Sequence, residues 1–357
     1  MPGIVEVAMG RPDSRPSPGL ILFLVAAACA VAGDRPGPGE PARPPDALQE
    51  AAATITAGDM LDRIAFLASD ELGGRETPSP GLERAAEYLA AEFERLGLDP
   101  AGDGGTFVQR YPLPGSAGEG DLESAAPNVV AILRGADPAL RDTYVVFSAH
   151  MDHVGHGPPD ATGDSIYNGA DDDASGTAAL VEVAEAFASL PAAPARSLLF
   201  LAVSGEERGL LGSRWFADHP PIPTDRLVAD LNVDMISRNA PGTIVVIGEE
   251  YSSLGPLVRS IADDRPELGL AVLSDPWREE GFFFRSDHYS FASKGIPAIF
   301  FFAGTHEDYH RPSDEVEKID PEKAARVARL IFHTAAAVAG DADPPEWTPE
   351  GLEAVGR

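Results

Sequence analysis

From residue 128 onward the chain alternates between short apolar runs and helical patterns, and this alternation limits its fold more than any other feature. Six runs of buried-strand type occupy 128–133, 143–149, 197–203, 227–233, 243–247 and 296–302. Between several of them lie helical patterns. Residues 175–190 place Leu180, Val183, Ala184 and Phe187 on one face, 254–261 is shorter, and Asp320-Pro321 opens a last helix to about residue 338. Upstream, Ser79 can cap and Pro80 can begin a helix in which Leu82, Ala86, Leu89, Phe93 and Leu96 recur at helical spacing until Gly97. An earlier amphipathic helix is predicted at 60–68. Strands alternating with helices imply an α/β fold, a single-domain three-layer sandwich with a mostly parallel central sheet and helices on both faces. Ligands of such sheets gather beyond the carboxyl ends of the strands.

Four of the runs end in side chains that bind metals. The run at 143–149 meets His150-Met151-Asp152, and that at 197–203 meets Ser204-Gly205-Glu206-Glu207. Asp234 follows 227–233, and the loop after 296–302 carries His306, Glu307, Asp308, Tyr309 and His310. A fifth contribution is the loop from Asn168 to Gly176, with three consecutive aspartates before a helix. Each piece alone has an ordinary explanation. A His-x-Asp pair can be a surface contact, paired glutamates a solvated face, and aspartates a helix cap. Their shared position at one sheet edge is what counts. Acids crowded there repel one another, in a chain with 27 Lys+Arg against 57 Asp+Glu and a formal net charge of −30. Cations relieve that repulsion. Imidazole and carboxylate without thiolate suit zinc, with manganese or cobalt as alternatives. The donors suffice for two ions sharing a carboxylate, and adjacent glutamates can divide the work of ligand and general base.

The same charge argues against nucleic acid or anionic lipid as a partner, because both need clustered cations. It favours a monomer that repels its own kind. At the amino end, Arg11 and Arg15 precede the apolar run from Gly19 to Ala32, which is short for a membrane span and followed by small residues. Residues 1–32 therefore read as a signal peptide, or as a lipoprotein signal with Cys29, the only cysteine, as a lipid attachment point. Residues 33–47 read as a Pro-rich linker that forms no helix or strand, 48–340 as the folded domain, and 341–357 as a flexible acidic tail. The expected location is outside the cytoplasm, as a periplasmic, outer-membrane-anchored or secreted protein.

The segments SAHMDHVG, NGADDDASGTAALVEVA, SGEERGLLGS, NVDM, FFFRSDHYSF and HEDYHRPSDEVEKID, in this order, resemble the two-zinc exopeptidase family of the bacterial leucyl aminopeptidases, glutamate carboxypeptidase and the glutaminyl cyclases. The resemblance covers roughly 61–338 and implies a phosphorylase/hydrolase-like domain holding two Zn2+ ions. It implies that His150 and Asp234 bind one ion, Glu207 and His310 the other, and that Asp172 bridges them across a cis Asp172–Asp173 peptide. It further implies Glu206 as the general base acting on a metal-bridged hydroxide, Asp152 as the group orienting His150, and Tyr309 as an oxyanion donor. The activity implied is removal of the first residue of peptides with a free amino end. Carboxypeptidase, dipeptidase and cyclase chemistry share this architecture, and some relatives are non-catalytic binding ectodomains.

Other features have plainer readings. His306 to His310 fits H-E-x-x-H, but a strand precedes it and Pro312 follows, leaving barely a turn for the helix that a single-zinc site needs. His153 and His156 are expected to shape the loop after His150, and His288 to hold a loop near the site. His219 and His333 are expected on the surface or in packing, while His306 stays ambiguous. Phe282, Phe283 and Phe284 with Trp277 fit either a substrate-pocket wall or core packing.

Overall fold

The structure is a computed structural model that describes residues 44–115 and 125–356. In chain order its helices are α1 (Pro44–Ala52), α2 (Ala57–Leu67), α3 (Pro80–Arg95), α4 (Ala174–Ala188), α5 (Leu211–Asp218), α6 (Leu254–Asp263), α7 (His288–Ala292), α8 (Pro321–Gly340) and α9 (Pro349–Ala354). Its strands are β1 (Asp99–Pro100), β2 (Val108–Pro112), β3 (Ala125–Leu133), β4 (Tyr144–His150), β5 (Gly155–His156), β6 (Ile166–Tyr167), β7 (Ser197–Val203), β8 (Leu227–Val233), β9 (Thr243–Ile247), β10 (Ala271–Leu273) and β11 (Ala298–Phe302).

The apolar runs at 197–203, 227–233 and 243–247 are β7, β8 and β9 to the residue. β11 starts two residues later than its run, after Pro297, which has no N–H for a ladder. β3 starts earlier because Ala125 pairs with Pro112 of β2. Helix starts follow their caps. Ser79 Oγ accepts from the Leu82 amide at 3.1 Å with Pro80 beginning α3, and the Asp320 side chain accepts from the Lys323 amide ahead of Pro321 in α8.

The main sheet runs β1-β3-β7-β4-β8-β11-β9-β10, with β2 also paired to β3. Its four central strands, β7, β4, β8 and β11, are mutually parallel. β3 is antiparallel to β7, and β9 is antiparallel to β11. Side chains alternate between two cores. Val145, Phe147, Phe200, Leu231 and Phe301 face the thick layer built by α2, α3, α4, α6 and α8. Val146, Leu199, Leu201, Phe300 and Phe302 face a thinner layer that includes Phe216 of α5 and Phe291 of α7. The register levels the strand ends, with His150 beside Val203 and Phe301 beside Val233. Whatever follows each central strand therefore emerges at one edge.

Two expectations are corrected. The Pro-rich stretch ends as helix, because α1 begins at Pro44, where a missing N–H costs nothing in the first turn. The expected flexible tail is structured through residue 356. Trp347 Nε1 donates to the Gly295 carbonyl at 2.9 Å, Thr348 caps α9, and Ser252 bridges to Trp347. An aromatic ring amid prolines and acids gave that segment an anchor. Among the described residues no helix is long and apolar enough to cross a membrane. The apolar run from Gly19 to Ala32, with Cys29, lies outside the described residues.

Candidate metal centre and active site

Four parallel strands deliver the candidate residues. β4 ends on His150 itself, β7 leads into Glu206 and Glu207, β8 into Asp234, and β11 into the loop that carries Tyr309 and His310. Asp172 comes from the loop before α4. The Asp172–Asp173 peptide is cis. Met235, directly after Asp234, and His310 both adopt left-handed backbone, with φ of 54° and 55°. Side chains other than glycine enter that region rarely, and such strain concentrates where a site demands it.

Two sets of donors share Asp172. On one side His150 Nε2 lies 3.2 Å from Asp172 Oδ1 and 3.5 Å from Asp234 Oδ1. On the other, His310 Nε2 lies 3.1 Å from Asp172 Oδ2 and 3.0 Å from Glu207 Oε2. His153 joins this second set, its Nδ1 being 2.9 Å from Glu207 Oε1 and 3.7 Å from Asp172 Oδ2. The donors of each set, His150 with Asp172 and Asp234, and His153 with Asp172, Glu207 and His310, lie within 4.8 Å of one another. Donors about 2 Å from one ion stand at about these separations from each other.

The hydrogen bonding fits cations at both places. Asp172 Oδ2, Asp234 Oδ1, Glu207 Oε1, His310 Nε2 and both ring nitrogens of His153 are buried atoms with no hydrogen-bond partner. Native proteins rarely bury polar atoms so, and here they belong to the two donor sets, each mixing imidazole nitrogens with carboxylate oxygens. The adjacent glutamates are driven apart. Burial pushes the Glu206 carboxyl well above its ordinary range, and the His150 imidazole only partly offsets this. Burial and Asp172 push Glu207 the same way, but the His153 and His310 imidazoles outweigh them and hold it below its ordinary value. Glu206 is in neither donor set. It faces a pocket that it shares with His150, Asp172, Asp234, Tyr309 and Arg285, walled by Met235, Phe282, Phe300 and Phe302.

A family model described as peptidase family M28 matches residues 128–335. The chain belongs to peptidase family M28. A probable zinc metalloprotease of Leptosphaeria maculans is 26% identical over 326 residues, covering 80% of this chain and 74% of that one. Leupeptin-inactivating enzyme 1 of Streptomyces exfoliatus is 26% identical over 72% of this chain, which spans half the length of that relative. Among solved structures, the aminopeptidase LapA of Legionella pneumophila superposes with a TM-score of 0.64 at 21% identity, covering 87% of this chain and 79% of that one. At that identity the likeness concerns the fold.

In this M28 chain the triple aspartate divides its labour. Asp171 accepts from the Ser237 hydroxyl at 2.5 Å and lies 3.3 Å from His306 Nε2. Asp173 caps α4 through the Gly176 amide and accepts from the Met235 and His150 amides, which ties three site segments together. A Cβ at Gly176 would stand 2.3 Å from the Val233 carbonyl oxygen, so the first turn of α4 has room for glycine alone. Asp152 differs from its expected role in detail. His150 Nδ1 lies 3.1 Å from the Asp152 main-chain carbonyl and 3.7 Å from its carboxylate. The carboxylate instead accepts from the Thr77 hydroxyl at 3.0 Å and the Glu206 amide at 3.3 Å, so it positions the general-base candidate as well.

Several supporting residues carried no signal in spacing. Arg75 is buried and donates to the carbonyls of Leu67, Met151, Asn168 and Gly169, gripping the segment just after His150 and the loop that carries Asp172. Burial lowers its guanidinium to about 10, so it stays charged at neutral pH beneath the acids. Asp314 accepts from the Asp171 and Asp172 amides. Tyr111 and Thr77 hold the turn before Glu206, through Ser204 O at 2.8 Å and the Gly205 amide at 3.0 Å.

The remaining histidines separate clearly. His153 is corrected from a loop-shaping residue to a member of the second donor set, because the chain turns after β4 and brings it back over Glu207. His288 is buried between Phe283 and Phe300, with ring centroids 5.2 Å from each. His219 is exposed against Trp215, and His333 is buried in α8. Residues 306–310 form a turn, with His306 on Asp171 and His310 on Asp172, so H-E-x-x-H does not converge on one ion. The phenylalanine run is split: Phe282 walls the pocket, Phe283 is core, and Phe284 is 47% exposed.

Proposed function

We propose that this chain is an exported aminopeptidase that uses two zinc ions, held by His150, Asp172 and Asp234 on one side and by Asp172, Glu207 and His310, joined by His153, on the other. Membership in family M28 and its zinc metalloprotease and aminopeptidase relatives support a metallo-exopeptidase. The observation that carries the finer reading is a carboxylate shared between two donor sets, with a non-ligating glutamate facing the pocket beside them. When bound, the ions supply a water activated at neutral pH and a polarised peptide carbonyl.

The chain's own groups do the rest. Glu206 takes a proton from the attacking water and delivers it to the departing amine, a task that its raised pKa suits. Tyr309 lies in the same pocket, where burial first, then Asp172 and Glu207, keep its phenol protonated and able to donate to a developing oxyanion. The acidic surroundings favour the ammonium of a free amino end. The aromatic wall of Phe282, Phe300 and Phe302 favours an apolar first side chain. The segment from Gly19 to Ala32 supports export, and Cys29 supports a lipid anchor.

The test is release of free amino acid from short peptides with free or acetylated amino ends, before and after chelation and zinc return. Zinc-dependent release confined to free amino ends is expected. Cleavage indifferent to acetylation would move the activity to another exopeptidase or an endopeptidase. Silence across the panel would favour cyclase chemistry or a binding role.

A further inference from the structure

We infer that Asp230 is a neutral carboxylic acid that starts a one-way chain of hydrogen bonds ending on Asp234, and so positions that metal ligand by a path that leaves β8 for Ser148 on β4 and returns. The inference rests on the reading of Asp234 as a ligand. The chain runs through the sheet on the face of the thinner layer. Asp230 Oδ1 is 2.9 Å from Ser148 Oγ, which is 2.9 Å from Asn232 Oδ1. Asn232 Nδ2 is 2.8 Å from Ser286 Oγ, and Ser286 Oγ is 2.9 Å from Asp234 Oδ2. Every member is buried.

Counting protons fixes the direction. A carboxylate that binds a cation only accepts, so Ser286 must give Asp234 its single hydroxyl hydrogen. Ser286 then accepts from the Asn232 amide nitrogen, which leaves Asn232 Oδ1 facing Ser148. That oxygen only accepts, so Ser148 spends its own hydrogen there. Ser148 has none left for Asp230, and the remaining 2.9 Å contact needs a hydrogen from Asp230. The opposite setting of the Asn232 amide fails. It would take the Ser286 hydrogen and leave two oxygens facing across the 2.9 Å between Ser286 and Asp234. The surroundings agree. Burial drives the Asp230 carboxyl well above its ordinary range, Ser148 pulls it down, and the Asp287 carboxylate pushes it up again. Asp230 Oδ2 has no partner, which a carbonyl oxygen tolerates better than a charged one. Hydrogen bonds aligned in one sense polarise one another, so the terminal bond on Asp234 depends on the first.

The test is metal affinity of the full chain, read by competition with a chromophoric chelator for Zn2+. Asp230→Asn keeps a donor facing Ser148 and is expected to retain wild-type affinity. Asp230→Leu removes the donor, and loss of such an outer partner is expected to weaken one of the two ions on the order of 10- to 100-fold, as is Ser286→Ala. Asp234→Asn is the reference. If it keeps both ions at wild-type affinity, the ligand reading fails and the inference fails with it. If it loses one ion while Asp230→Leu binds as wild type does, the ligand reading stands and the inference is overturned. Asp230→Asn binding as weakly as Asp230→Leu would mean a charged Asp230 and also overturn it. Should Asp230→Leu not fold, the infrared difference between wild type and Asp230→Asn decides, since a protonated carboxyl band is required and carboxylate bands refute it.

Discussion

Counting Asp172 in both sets, four side chains offer donors to a cation on one side and three on the other. His153 and His310 approach Oδ2, with Glu207 in their set, whereas His150 approaches Oδ1, with Asp234 in its set. Four protein ligands complete a tetrahedral zinc site, and three leave a position for water or substrate. The pocket belongs to the sparser side, since its walls include His150, Asp172, Asp234 and Glu206 but neither Glu207 nor His153. The difference teaches that a bridging carboxylate need not join equals. On the proposed reading, one half would retain its ion and the other would present an ion to the peptide.

The largest effect should come from testing whether the glutamates belong to different halves of that division. Glu206→Gln is expected to lower kcat by roughly 10²–10⁴-fold, the worth of a general base, with both ions retained by elemental analysis. Glu207→Gln should lose an ion instead. If Glu206→Gln also sheds metal, the base is a ligand and the comparison collapses. Glu307→Gln, at the exposed residue of its turn, should leave turnover intact.

The next test falls on His153 itself. His153→Ala is expected to weaken one of the two ions on the order of 10- to 100-fold in chelator competition, leaving the other at wild-type affinity. X-ray absorption of the wild-type zinc protein gives an independent count. Three imidazoles should be shared between two ions if His153 ligates, and two if it only packs. An unchanged affinity with two imidazoles would make both halves three-donor sites and remove the asymmetry.

Much of this was legible in the sequence because strands that are buried on both faces leave unbroken apolar runs. β7, β8 and β9 could be bounded from that signal alone, and so could the residues that follow them. The donors at strand ends were legible for the same reason, since register at the end of a parallel strand follows from its length. His153 was not. It lies beyond the strand, in a segment whose path depends on Arg75 reaching from before α3 to hold the Met151 carbonyl. Arg75 and Asp314 were illegible too, because their work is done on backbone groups of other loops, and no spacing within one segment reports it. The tail was misread because composition outweighed a single residue. Prolines and acids look unstructured until Trp347 is given a place to dock beside Gly295.

A second pair of histidines sharpens what the charged half requires. His153 and His288 are both buried, but His153 lies against carboxylates and His288 between phenylalanine rings. Burial lowers the His288 imidazole from 6.5 to about 3, so the folded protein keeps it neutral where the unfolded chain would protonate it. Between those values the unfolded state binds more protons, and stability must fall as the pH falls. One such proton is worth about 1.4 kcal/mol per pH unit. Urea unfolding of wild type and His288→Gln should therefore diverge in slope below about pH 6, with the variant, which cannot take up the proton, less acid-sensitive by that amount. Differencing the two proteins cancels the acid response of the titratable groups they share. Parallel slopes would show that His288 gains its proton without unfolding.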